Sequence, residues 1–132
     1  MIDASVATAW CLSDEATDYT EGVLKAVSGS REALAPRLWA YEIRNSVCMG
    51  MRRKRISKTD AEEFFQSLPY LRIRLTDPVS YDVVFGLADR LGLTVYDAAY
   101  LDLALREKLP LASLDDALIR AAEKSGVLIF KP

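Results

Sequence analysis

Residues 94–105 read TVYDAAYLDLAL, a stretch that joins a marked helix start to an almost continuous apolar surface. Thr94 is a favourable N-cap, and Asp97 three residues later can return the second hydrogen bond of a capping box. Leu101 and Leu105 continue one apolar stripe, as expected of a helix that is buried on most sides. The sequence therefore predicts a core helix that carries one carboxylate, Asp97, in its first turn.

Short apolar segments alternate with amphipathic helical patterns along the rest of the chain. Strands are predicted at 1–2, 32–35, 71–75, 109–112 and 127–130. Further helices are predicted at 5–12, 13–27, 38–53, 57–68, 80–91 and 115–125, the first capped by Ser5 and the second opened by residues 13–15. Because strands separated by helices need crossover connections, the expected class is α/β, with three α/β/α layers around a mostly parallel central sheet.

Length and composition indicate one folded domain over residues 1–132. The chain is 51% hydrophobic and 27% charged, which is typical of a well-cored globular protein. Its formal charge of −2 argues against a protein that coats nucleic acid through bulk positive charge, although a nuclease with a local acidic centre remains compatible. Neither a leader pattern nor an apolar run long enough to cross a bilayer is present, so we expect a cytoplasmic protein without a membrane partner.

The residue types that the chain lacks narrow its chemistry. It contains no histidine, which excludes Ser-His-Asp and Cys-His nucleophiles and every His-ligated zinc site. The two cysteines, Cys11 and Cys48, are far apart and form no CxxC pair, so we expect buried thiols. No glycine-rich nucleotide-binding motif occurs either. Chemistry is thus left to carboxylates.

Four carboxylates occupy positions from which they can meet. Asp3 and Asp115 each follow a short apolar segment, where the carboxyl end of a parallel strand passes into a helix. Asp97 lies in the first turn of its helix, and Glu42 is placed on the inward side of the helix predicted at 38–53. Taken singly, the three aspartates are better explained as ordinary helix caps, and Glu42 would be an exposed residue if its helix had another register.

Taken together, four acids at one sheet edge call for a cation. Like charges at one site repel unless a positive ion lies between them. Oxygen ligands without cysteine or histidine favour Mg²⁺ or Mn²⁺ over zinc. The residues therefore predict a Mg²⁺ or Mn²⁺ site at this edge of the sheet.

Four short segments, in this order and at this spacing, carry a resemblance to a known family: Ile2–Val6, Tyr41–Asn45, Thr94–Tyr100 and Ala112–Asp115. The chain resembles the PIN-domain family and, within it, the VapC-type toxin ribonucleases. The resemblance implies a PIN-like fold and a Mg²⁺- or Mn²⁺-dependent enzyme that cuts single-stranded RNA and leaves 5′-phosphate and 3′-hydroxyl ends. It also implies a homodimer that is held inactive by a VapB-type antitoxin.

Site residues follow from the same resemblance, position by position. Asp3 and Asp97 correspond to the main metal ligands, and Glu42 and Asp115 to completing catalytic carboxylates. Asp115 is assigned this role in preference to the adjacent Asp116, because Leu118 follows Asp115 at the spacing found in the family. Supporting roles are implied for Ser5, Asn45 and Asp116. Ser5 and Asn45 can orient a ligand or a water molecule, or they can be a simple helix cap and a polar residue on a helix face.

The densest basic run, Arg52-Arg53-Lys54-Arg55, follows the helix that carries Glu42. It is a candidate RNA-binding track, and it is equally well explained as cations that favour a helix C-terminus. Two rival functions stay open at this point. One is a catalytically silent PIN-like module that binds proteins, and the other is a structure-specific DNA nuclease.

Overall fold

The structure, a computed structural model, describes residues 1–132 as seven α-helices and two regular strands. The helices are α1 Ala4–Cys11, α2 Asp18–Ser28, α3 Trp39–Arg52, α4 Lys58–Ser67, α5 Tyr81–Leu91, α6 Val95–Glu107 and α7 Asp116–Lys124. The strands are β1 Ala33–Pro36 and β2 Ile73–Thr76. Single 3₁₀ turns lie at Ser13–Glu15 and Leu68–Tyr70.

A parallel sheet is assembled from β1, β2 and three shorter extended segments. β1 and β2 pair in parallel over their whole length. The Ile2 N–H donates to the Leu34 carbonyl at 2.9 Å, which joins the chain start to β1. Parallel bridges between Ile2 and Ala112 and between Leu111 and Ile129 extend the sheet on the other side. The predicted parallel sheet with crossover helices is confirmed.

The helix predicted from residues 94–105 lies in the core as α6. Leu101 is fully buried, as are most residues on the same side of the helix. Leu105 is 36% exposed, so the predicted apolar stripe leaves the core one turn early. The predicted capping box is also only half right: the Thr94 hydroxyl accepts from the Asp97 N–H at 3.0 Å and donates to the Asp97 carboxylate at 2.7 Å. The carboxylate therefore bonds the cap's hydroxyl instead of its backbone.

Two predicted helix starts near the N-terminus are wrong. Ser5 does not cap α1, because the helix begins one residue before it, with Asp3 at the N-cap position. The second helix does not open at residues 13–15, which form a separate 3₁₀ turn. Instead Thr17 caps α2: its hydroxyl accepts from the Thr20 N–H at 3.2 Å, and its own N–H donates to the Thr20 hydroxyl at 2.9 Å. This capping box is closed by threonine in place of glutamate or glutamine, so the usual sequence signature does not mark it.

Three predicted strands are shorter than their apolar patterns, because the ladders at 1–2, 109–112 and 127–130 are reduced to single bridges. The helices predicted at 57–68, 80–91 and 115–125 are confirmed as α4, α5 and α7, which are capped by Ser57, Ser80 and Asp115, and Gly92 ends α5 in the left-handed conformation (φ 65°). Cys11 and Cys48 are half-buried rather than in the core. None of the helices combines the length and the apolar character needed to cross a bilayer.

Candidate active site

A cleft of about 530 Å³ opens where the chain leaves the parallel segments and enters the helices. The four acids singled out from the sequence, Asp3, Glu42, Asp97 and Asp115, all line it. Each stands at a helix start: Asp3 and Asp115 are the N-cap residues of α1 and α7, and Glu42 and Asp97 lie in the first turns of α3 and α6. Helix N-termini favour negative charge, so this position stabilises the carboxylates despite their mutual repulsion.

Asp3 is the most deeply placed of the four, with 7% of its surface exposed. Its Oδ2 atom accepts hydrogen bonds from the hydroxyls of Ser5 at 2.5 Å and Ser113 at 2.7 Å. Burial raises the pKa of Asp3, and the two serine hydrogen bonds oppose that rise because they favour the charged form. The two hydroxyls hold the Asp3 carboxylate in one orientation.

The same serines connect Asp3 to the start of α7. The Ser5 hydroxyl accepts from the Leu114 N–H at 2.9 Å, and the Ser113 hydroxyl accepts from the Asp115 N–H at 2.9 Å. Ser113 is almost completely buried, so its hydroxyl must be satisfied within the protein. Asp3 and Asp115 are thereby held in a fixed relation although 112 positions separate them along the chain.

Glu42 receives a short hydrogen bond from the Tyr100 hydroxyl, across the contact between α3 and α6. Burial raises the pKa of Glu42, and the negative charges of Asp3 and Asp97 raise it further, while the bond from Tyr100 acts in the opposite direction. Burial, together with the bond to Glu42, also raises the pKa of the Tyr100 hydroxyl far above its usual range. The influence of Asp3 and Asp97 on Glu42 shows that the three acids share one electrostatic environment.

The donor chemistry of the cleft fits a hard divalent cation. All four acids are oxygen donors, the chain has no histidine, and neither cysteine lines the cleft. In the conformation seen here, no three acidic groups lie close enough to hold one ion together. Each is hydrogen-bonded to a group of the protein: Asp3 to the hydroxyls of Ser5 and Ser113, Glu42 to Tyr100, Asp97 to Thr94, and Asp115 Oδ1 to the Leu118 N–H at 2.8 Å. A cation would therefore compete with these local bonds for the acids.

The raised carboxyl pKa values predict how pH affects the metal-free protein. A carboxyl whose pKa is raised on folding contributes stability that is fully present below its unfolded pKa, 4.5 for glutamate, and is lost as pH rises through the folded value. At neutral pH the buried Glu42 carboxyl therefore destabilises the folded protein, and Glu42→Gln removes this cost because glutamine does not ionise. With a chelator present, the variant should melt at a higher temperature than the wild type at pH 7, and the difference should vanish at pH 4.

The matched control is Glu63→Gln, which removes an exposed glutamate on α4 outside the cleft. The melting temperatures of both variants and of the wild type are measured and compared at pH 4 and pH 7. If Glu42→Gln and the wild type had equal melting temperatures at both pH 4 and pH 7, the conclusion that the cleft raises the pKa of Glu42 would be wrong.

The supporting residues predicted from the sequence fall into two groups. Ser5 and Asn45 line the cleft, whereas Asp116 is exposed outside it, which leaves Asp115 as the acid of the pair that faces the other three. Of the basic run, Arg53 and Arg55 line the cleft. Arg52 and Lys54 are exposed elsewhere.

Arg53 and Arg55 differ in whether their guanidinium groups are paired with acidic side chains. Arg55 is paired with Asp14 at 2.8 Å and with Glu15 at 2.5 Å, which raises the pKa of its guanidinium and ties it to the 3₁₀ turn. Arg53 is exposed and makes no salt bridge. Arg53 is therefore the member of the basic run best placed to meet a phosphate in the cleft.

Two residues that orient the acids of this site, Ser113 and Tyr100, were not predicted from the sequence. Ser113 lies inside the segment Ala112–Asp115 that carried the resemblance, directly after a buried strand position, and that location was the available signal. Tyr100 lies three residues after Asp97 on the same helix, and a tyrosine in a buried helix needs a partner for its hydroxyl. Its partner, Glu42, is 58 positions away, so no local pattern names it.

Comparison with known proteins gives three concordant findings. The PIN domain family matches residues 1–124. Ribonuclease VapC3 of Pyrobaculum aerophilum is 33% identical in an alignment of 133 positions that covers 98% of this chain and 96% of that protein. The crystal structure of PAE2754 from Pyrobaculum aerophilum is similar with a TM-score of 0.73 at 22% identity, over 91% of this chain and 82% of that one. The structural likeness confirms the three-layer α/β/α fold.

Proposed function

The chain belongs to the PIN-domain family, as its motifs predict, and on that basis we propose that it is a metal-dependent endoribonuclease of the VapC toxin type. The observation that carries the proposal is the cleft itself. Four helix starts bring four carboxylates to one edge of the sheet, and the charges of Asp3 and Asp97 act on Glu42 there. A relative named as a ribonuclease, similar over almost the whole length, supports the same activity.

We assign the principal metal ligands to Asp3 and Asp97, with Glu42 and Asp115 completing the set around Mg²⁺ or Mn²⁺. When bound, such an ion supplies Lewis-acid polarisation of the phosphodiester and of the attacking water. Ser5 and Ser113 orient the Asp3 carboxylate through hydrogen bonds to Oδ2. Asn45, exposed at the cleft wall, is placed to orient substrate or water.

The proposed substrate is single-stranded RNA. Its phosphate enters a cleft in which Arg53 supplies an unpaired positive charge, and this offsets part of the repulsion between the phosphate and the acids. The ion-paired Arg55 has the structural role of holding the 3₁₀ turn against the end of α3. The expected products carry 5′-phosphate and 3′-hydroxyl ends.

Two protein partners belong to the proposal. A VapB-type antitoxin is expected to inhibit the enzyme, by analogy with the relative's family. A homodimer is expected as well, and exposed apolar side chains lie around the start of α5: Val79, Tyr81, Val83 and Phe85 are between 58% and 79% exposed, and Tyr81 and Phe85, four residues apart, share one face of the helix. This segment is named the α5 apolar surface.

Cleavage of matched RNA and DNA strands tests the function. Labelled single strands of one sequence are incubated with the purified protein and Mn²⁺ or Mg²⁺, with and without EDTA. We expect RNA to be cut only when the cation is present, because charge neutralisation at the phosphate depends on it. Metal removal should lower the rate by at least about 100-fold, more than loss of an outer-shell partner usually costs.

Each alternative gives a different result in the same assay. Cleavage of DNA but not RNA would assign the chain to the structure-specific DNA nucleases. Cleavage of neither strand, with no rise in melting temperature on adding Mn²⁺, would indicate a catalytically silent interaction module. Cutting of RNA that persists in EDTA would overturn the metal-dependent mechanism.

A further inference from the structure

Two large aromatic side chains stand exposed beside the acidic cleft. Tyr41 is 78% exposed and Tyr96 is 64% exposed. Each directly precedes an acid of the cleft, Glu42 in α3 and Asp97 in α6, so both rings lie within the first turns of helices that deliver carboxylates. Neither ring belongs to the core, so packing in the interior does not explain why aromatic residues occupy these positions.

Both tyrosines line a shallow groove of about 370 Å³, which we name the tyrosine groove. Its other lining residues are Leu38, Glu42 and Asn45. Glu42 and Asn45 also line the acidic cleft, so the tyrosine groove is continuous with it. Any molecule in the groove is a direct neighbour of a group bound at the carboxylates.

The chemistry of the tyrosine groove matches an unpaired base. Exposed aromatic faces stack on nucleobases, and every base presents such a face, so stacking works for many sequences. The Asn45 amide adds a donor and an acceptor that can meet the polar edge of a base. Bases in a duplex are stacked on each other and cannot enter, whereas bases of a single strand can be splayed out onto a protein surface.

A nucleotide next to the reacting phosphate is favoured over a protein segment as the occupant. Two of the five side chains that line the groove, Glu42 and Asn45, are polar, and both also line the cleft. More exposed apolar side chains lie in the α5 apolar surface, which includes neither Tyr41 nor Tyr96. A protein partner therefore has a better apolar surface elsewhere, and the tyrosine groove opens where the substrate must pass.

We propose that Tyr41 and Tyr96 bind an unpaired base of the RNA next to the scissile phosphate and so select single-stranded substrate. The inference rests on the proposed nuclease function and deepens it. It makes the two tyrosines substrate-binding residues that hold the RNA beside Asp3, Glu42 and Asp97.

The test uses the full chain with Mn²⁺ and a short single-stranded RNA whose cleavage position has been mapped with the wild type. Tyr41→Ala and Tyr96→Ala should each lower kcat/KM by about 5- to 150-fold, the equivalent of about 1–3 kcal/mol of stacking. The loss should lie mainly in KM, because stacking holds the substrate before and during the reaction. Phenylalanine at the same position should recover most of the loss.

Two controls separate stacking from other effects. Tyr70→Ala removes a tyrosine that is 86% exposed but lines neither the groove nor the cleft, and it should leave kcat/KM unchanged. A substrate with one abasic nucleotide beside the cleavage position should be cut more slowly by the wild type. On that substrate the alanine variants should lose little more, because the stacking partner is already absent.

The outcomes distinguish this inference from the function on which it rests. If the wild type cuts no RNA, the proposed nuclease function fails. If the wild type cuts RNA and both alanine variants match it, or lose as much on the abasic substrate as on intact RNA, stacking is refuted. A change in the light-scattering mass of either alanine variant, with kcat/KM per assembled unit unchanged, would instead assign the tyrosines to an interface between copies of the chain.

Discussion

Replacing Asp97 by asparagine (Asp97→Asn) is expected to lower Mn²⁺-dependent RNA cleavage by more than about 100-fold while leaving the fold intact. Losing an outer-shell partner of a metal already costs about 10- to 100-fold, and a ligand should cost more. The asparagine amide oxygen can still accept the hydrogen bond that the Thr94 hydroxyl now donates to the carboxylate. The change therefore removes the charge and keeps the helix start, and initial rates of cleavage measure its effect.

The chain offers a closely matched control in α4. Ser57 and Asp60 repeat the geometry of Thr94 and Asp97: the cap hydroxyl accepts from the Asp60 N–H at 3.1 Å and donates to the Asp60 carboxylate at 2.8 Å. Asp60 lies outside the cleft. Asp60→Asn makes the same chemical change at the same helix position and should keep full activity. Equal activity of the two variants would remove Asp97 from the site.

Leu101→Ala should destabilise the protein by about 2–5 kcal/mol, the usual cost of truncating a buried leucine. Leu101 is fully buried in α6, so its loss leaves a cavity in the core that positions Asp97 and Tyr100. Against a typical total stability of about 5–15 kcal/mol, this is a large fraction. Urea denaturation followed by circular dichroism measures the free energy of unfolding.

Leu105→Ala is the control on the same helix. Leu105 is 36% exposed, so its truncation should cost less than about 1 kcal/mol, close to the range of surface substitutions. A loss for Leu105→Ala as large as that for Leu101→Ala would mean that the buried side of α6 has been misidentified.

The sequence predicted those parts of the fold that carry a local signal. Thr94, Ser57, Ser80 and Asp115 mark helix starts through hydroxyl or carboxylate caps, and the structure places helices directly after each of them. Such caps are readable because donor and acceptor lie within three residues of each other. Thr17 was missed although its signal is equally local, because its partner in the capping box is Thr20 instead of an acid or amide.

The strands were predicted less well, for a physical reason. The segments around Ile2, Leu111 and Ile129 pair through single bridges. Their lengths depend on how far neighbouring segments run side by side, which a local pattern of apolar residues does not encode. The apolar patterns thus indicated which segments enter the sheet and overestimated the regular ladder that each would form.

In the candidate site, too, local patterns predicted individual residues but not their contacts with residues distant in sequence. The four acids were found from their places at strand ends and helix starts, and the structure brings all four to one cleft. The contacts that orient them were not predicted: Tyr100 meets Glu42 across 58 positions, and Ser113 meets Asp3 across 110. The basic run was likewise ambiguous in sequence, and only the structure separates Arg53, free in the cleft, from Arg55, bound by Asp14 and Glu15.

The proposed cation site is tested most directly by calorimetric titration of the protein with Mn²⁺ at pH 7. We predict that the wild type and Asp60→Asn bind Mn²⁺ with the same affinity, and that Asp97→Asn binds it at least about tenfold more weakly, since a charged oxygen ligand has been removed. Equal Mn²⁺ affinity of Asp97→Asn and the wild type would contradict the assignment, because the four carboxylates would then not hold one ion through Asp97.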